Sequence, residues 1–167
     1  MDERDIKYVS AFLKELQEES DRGAALVGAA LLDARLERLL LAHMLPGKVT
    51  TDLINGRNAP LGTFSARINA CYALGLITIS ERHDLNLVRA VRNEFAHREH
   101  GITFSDEKIA GLCTSLNSRR PPNIVEDMGG YPPRQRFNDA VIFTAMQLWH
   151  RPEHAEPFKA EERQWPY

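Results

Sequence analysis

The feature that most constrains this fold is the run Gly23-Ala24-Ala25-Leu26-Val27-Gly28-Ala29-Ala30, small and apolar on nearly every side of a helix. A helix that is apolar all round has to be buried. A glycine inside a helix costs about 1 kcal/mol against alanine, and the usual reason to accept that cost is close approach of a neighbouring backbone. The run therefore predicts the central helix of an α-bundle, capped by Ser20 or Asp21, reaching about His43 and ended by Pro46-Gly47. It is not a membrane span. A span needs about 18 apolar residues, and here Asp33, Arg35, Glu37 and Arg38 follow at once.

Other segments repeat apolar residues at helical spacing, on one face only. A first helix covers about Asp5 to Glu19, with Ile6, Val9, Phe12, Leu13 and Leu16 inward. Residues 48–61 read as a connection. A third helix starts at the cap Thr63, carries Phe64, Ile68, Cys71 and Tyr72, and stops at Gly75. Ser80 is expected to cap a fourth, running to His97 or Arg98, and Ser105 a fifth, to about Leu116. An irregular stretch from Asn117 to Pro133 precedes a sixth over about Arg134 to His150, with Phe137, Val141, Ile142, Ala145 and Leu148 inward. The expected fold class is all-α: a single-domain bundle of about six helices over residues 1–151, with residues 152–167 a polar, proline-punctuated peripheral tail. Leu26, Ala29, Ile68, Tyr72, Val88, Val91 and Phe95 are expected to share its core.

The chain has 167 residues and a formal net charge of −2, a length that suits one domain. A dedicated duplex-DNA binder shows a basic face, because phosphate neutralisation supplies most of its affinity. Here the cations are scattered among acids, and no basic recognition helix follows a tight turn. Direct sequence-specific DNA binding is therefore not expected. The N-terminus, Met1-Asp2-Glu3-Arg4-Asp5, is charged with mixed sign and is not expected to act as a signal peptide. Cys71 and Cys113 form no CxxC pair and read as small buried residues. The expected compartment is the cytoplasm.

Two segments are candidate sites. In the fourth helix, Leu85, Val88, Val91 and Phe95 form an apolar arc, with Arg92 at its edge and Asn93 and His97 one turn apart on the polar side. Such residues either hold helices together or place a phosphate next to an acid–base group. On an ideal wheel Arg92 and His97 lie about 140° apart, so a shared reaction centre is easier to build across a two-fold homodimer. The second candidate is Pro60-Leu61-Gly62-Thr63-Phe64-Ser65 with Arg67. A turn feeding a helix N-terminus offers free N–H groups to an anion, and also suits a packed corner. Thr63, Ser65 and Arg67 are its candidate contacts. Arg119 and Arg120, in a loop near Arg134 and Arg136, make the best local patch for an anionic partner. His97, Arg98, Glu99 and His100 lack the spacing of a metal set, and no nucleotide-binding glycine motif is present. Neither a metal nor a cofactor is expected.

The segments Arg22–Gly28, Ala59-Pro60-Leu61-Gly62-Thr63-Phe64-Ser65-Ala66-Arg67-Ile68, Ala73–Ile77, Arg92–His97 and Ile102–Asp106 resemble, in that order, the mannitol-operon repressor family of bacterial regulators. The resemblance implies an all-helical bundle linked to sugar-alcohol uptake and metabolism. With no recognition helix in view, it implies regulation through a protein partner. Arg92, Asn93 and His97 also match the short pattern of helical HEPN domains, some of which are metal-independent ribonucleases. That resemblance implies RNA as substrate, with Arg92 stabilising the phosphorane, His97 moving a proton and Asn93 orienting either. A non-catalytic helical scaffold is the remaining reading.

Overall fold

The computed structural model describes residues 3–56, 58–117, 131–157 and 165–166. Eight helices order the described residues: α1 Glu3–Glu18, α2 Asp21–His43, α3 Lys48–Asn55, α4 Phe64–Ala73, α5 Ile79–His97, α6 Glu107–Thr114, α7 Pro133–Trp149 and the single turn α8 Arg151–His154. No strand occurs among them, and none of these helices is long and apolar enough to cross a membrane.

The small-residue run sits at the centre of the bundle. α2 touches every other helix except α6. Ala24, Ala25, Gly28 and Ala29 are buried on it, followed by Leu32, Leu36, Leu39 and Leu40. A Cβ placed on Gly28 would lie 3.1 Å from Val141 Cγ2 and 3.2 Å from Phe137 Cε1. α7 thus packs on bare α2 backbone, which is why a glycine is kept there. Phe95, Phe104 and Phe137 form a chain of tilted rings, 4.9 and 5.2 Å between centroids. That chain joins α5, the loop before α6, and α7.

Of the expected core, Ala29, Ile68, Val88, Val91 and Phe95 are buried in one cluster. Tyr72 is not: it is 41% exposed, with the Arg82 guanidinium 5.0 Å from its ring. Leu26 is half-buried and faces a cleft instead. Cys71 and Cys113 are fully buried. Burial pushes both thiols up to about 12, against the pull of Arg151 and Arg67 on Cys71 and of Arg136 on Cys113, so neither is a ready nucleophile.

Local chemistry explains most boundaries. Gly75, at φ +71°, closes α4: its N–H donates to Tyr72 O (3.0 Å) and the Leu76 N–H to Cys71 O (2.8 Å), a Schellman arrangement. α5 begins two residues earlier than Ser80 suggests. Thr78 is the cap, and Thr78 and Glu81 form a reciprocal capping box. α6 takes Asp106 rather than Ser105 as its cap residue, while the Asp106 carboxylate reaches back to the Thr103 N–H at 2.8 Å. The expected connection at 48–61 contains α3. Eight residues are too few to hold a helix alone; buried Ile54 and Thr50 anchor this one to the bundle. The expected boundary between residues 151 and 152 falls inside α8. There Arg151 donates to Leu76 O at 2.9 Å and to both oxygens of Glu81, and His43 Nδ1 lies 3.1 Å from Glu156 O.

Candidate functional site

The two segments singled out in the sequence share one cleft. Thr63, Phe64 and Ser65, at the start of α4, face Arg89, Arg92 and Asn93 of α5 across α2, which contributes Leu26, Ala29, Ala30 and Asp33. The cleft encloses about 520 Å³, within the range of small-molecule sites.

α4 is oriented with its N-terminus to the cleft by Arg67. The Arg67 side chain is only 8% exposed and is spent inside the fold. Its Nε donates to Leu61 O (3.0 Å), and Nη2 reaches Ile54 O and Asn55 Oδ1 (both 3.3 Å). Nη1 and Nη2 pair with Asp33 and Glu37 of α2, each at 2.9 Å. Arg67 therefore ties α3, the following connection and α4 to the central helix, and has no charge to offer a ligand. Thr63 caps α4 by accepting from the Ala66 N–H at 3.2 Å. The Phe64 and Ser65 N–H groups precede the first bond within the helix and take no acceptor among the described residues.

On α5, Arg92 is exposed and donates to Asn93 Oδ1 at 3.1 Å. Arg89, one turn earlier, forms no ion pair with a described residue, and its buried Nε takes no hydrogen-bond partner among them. His97 ends α5, exposed, and does not line the cleft. Within one copy, Arg92 and Asn93 share a site that His97 does not join, so the acid–base arrangement expected of a nuclease is not formed there. The loop holding Arg119 and Arg120 lies outside the described residues. Its companions are engaged: Arg134 pairs with Asp21 at 3.0 Å, and Arg136 donates to Tyr131 O at 3.2 Å.

Arg89 and Asp33 escaped the sequence reading. Arg89 had a signal, since it precedes Arg92 by three positions and so shares its side of the helix. Asp33 had none, because its place depends on how α2 meets α4.

A second cleft, of about 510 Å³, is mainly apolar and shares no lining residue with the first. Met44, Leu45 and Pro46 meet Val49 and Leu53 of α3 and Leu74 at the end of α4. Leu45, Val49 and Leu74 are 52%, 74% and 44% exposed. Together they gather exposed apolar side chains on one face of the bundle.

A helical bundle with a cleft lined by two arginines and a separate exposed apolar face, and no cluster among its described residues able to hold a metal, defines an all-α domain with two candidate binding surfaces. Comparison with known proteins narrows the class. The family model described as Mannitol repressor matches residues 48–153, and the chain belongs to that family. The mannitol operon repressors of Escherichia coli K12 and of Escherichia coli O6:H1 are each 37% identical to it over 98 residues, 58% of this chain. The match covers 45% of the length of those relatives. Among solved structures, the X-ray structure of the MtlR-HPr complex from Escherichia coli contains a chain that superposes with a TM-score of 0.64 at 21% identity, covering 87% of this chain and 98% of that one. At that identity the likeness shows the fold.

Proposed function

We propose that this protein is a cytoplasmic regulator of a sugar-alcohol operon that works by docking onto protein partners, and not by reading DNA with a helix of its own. The exposed apolar cleft around Leu45, Val49 and Leu74 carries the reading. Desolvated apolar anchors are what protein interfaces are built on. The helix best placed to follow a turn into a groove, α4, has a single cation, Arg67, and that cation is buried against two carboxylates. DNA affinity comes chiefly from free cations on phosphates. The names of the Escherichia coli relatives support the operon, and the MtlR-HPr complex makes HPr the first partner to test.

Calorimetric titration of the protein with HPr from the same organism is expected to give saturable binding. Leu45→Glu and Val49→Glu should abolish it without lowering the melting temperature, since both side chains are exposed. Operator DNA at physiological salt should bind no better than unrelated DNA. Absence of HPr binding, together with nanomolar and selective operator binding, would overturn the proposal.

A further inference from the structure

The geometry points to the polar cleft between α2, α4 and α5 as a binding site for a small phosphate monoester carried on a hydroxylated carbon chain. Two guanidinium groups without a carboxylate partner among the described residues, Arg89 and Arg92, line it together. Arg89 lines the cleft wall although its Nε is enclosed by the fold, so its terminal guanidinium nitrogens are the donors it can offer. Guanidinium forks match phosphate oxygens in pairs. The Phe64 and Ser65 N–H groups add donors from the adjoining helix start.

One carboxylate, Asp33, also lines the cleft; Arg67, 2.9 Å away and shared with Glu37, offsets part of its charge, and Arg89 and Arg92 outnumber it. The cations of α5 therefore set the sign of the field for an entering anion. About 520 Å³ is far more room than inorganic phosphate fills. The rest of the wall is Asn93, Thr63, Ser65 and the second face of Asp33, groups that exchange hydrogen bonds with hydroxyls, beside Leu26, Ala29 and Ala30, which pack against carbon. A dianion at one end and hydroxyl partners at the other describe that chemical class. The assignment does not depend on the docking proposal, because the two clefts share no residue.

The test is calorimetric titration of the full chain with inorganic phosphate, glycerol 3-phosphate, a hexitol phosphate and the same hexitol without phosphate. The hexitol phosphate is expected to bind, at least about ten-fold more tightly than inorganic phosphate, and the bare hexitol not at all. Arg89→Met and Arg92→Met should each weaken binding by about ten-fold or more. Arg98→Met, which removes an arginine just past the end of α5 and outside the cleft, should leave it unchanged. Arg92 is exposed, so Arg92→Glu provides a variant whose melting temperature should stay at the wild-type value while binding is lost. NMR shifts of the Asn93 side-chain amide on titration would locate the ligand. No binding by either ester, equal binding by inorganic phosphate, or undiminished binding in the Arg92 variants with unmoved Asn93 signals would each overturn the assignment.

Discussion

Arg67 shows how the same residue type serves two different ends in one small fold. Its guanidinium is ringed by two carboxylates and by acceptors from α3 and the following connection, whereas Arg89 and Arg92 line the polar cleft and form no ion pair with a described residue. Sequence spacing treats all three alike, because ion pairing is decided by what arrives from another helix. Asp33 and Glu37, one turn apart on α2, are what arrives at Arg67. Removing that cation should therefore be costly. Arg67→Met leaves two facing carboxylates uncompensated and is expected to destabilise the fold by about 3 kcal/mol, the lower end for a broken buried pair, because each carboxylate keeps 29% exposure. Chemical denaturation measures it. A loss under about 1 kcal/mol, the ordinary worth of a surface pair, would show that the network does not hold α4 to α2.

At the scale of helices, periodicity and caps located most elements, and tertiary contacts supplied the remainder. α2, α5 and α7 were legible because their apolar residues recur at helical spacing over many turns. The start of α5 was misplaced: Ser80 was the expected cap, whereas Thr78 and Glu81 form the capping box. α3 was not legible, since eight residues with one apolar face look like a connection until Ile54 is seen buried under Arg67. The aromatic chain through Phe95, Phe104 and Phe137 joins three parts of the bundle. Phe95→Ala should cost about 3–5 kcal/mol, read as a shift in the urea midpoint with helical content retained in the native baseline. An unmoved midpoint would remove Phe95 from the centre of the core.

At the scale of the whole molecule, the chain is closed by a polar clasp. Arg151 of α8 reaches back to Glu81 at the start of α5 and to Leu76 O, at the foot of α4. Burial by itself would raise the Glu81 carboxyl. The Arg151 hydrogen bonds and charge, with those from Thr78, outweigh it and hold the group below its ordinary 4.5. A carboxylate lowered in the folded state stabilises above its unfolded value, and that contribution is lost as pH falls through the folded value. Glu81→Gln should therefore melt below the wild type at neutral pH, with the gap closing as both are acidified beneath 4.5. A gap that stays constant with pH would show that the clasp acts through packing and not through charge.

The sequence by itself determined the helical class, the central place of the small-residue helix, the inward faces of α5 and α7 and the family. Each of these rests on spacing along one element or on a motif written in consecutive residues. It also marked both segments that line the polar cleft, through Thr63, Ser65, Arg92 and Asn93. Only the tertiary structure decided that they line the same cleft, that Arg89 belongs with them, that Arg67 and His97 do not, and that Leu45, Val49 and Leu74 form an apolar face. Those outcomes depend on which side chains meet between helices far apart in the chain, and a charge or an apolar surface is free or spent only according to what packs against it.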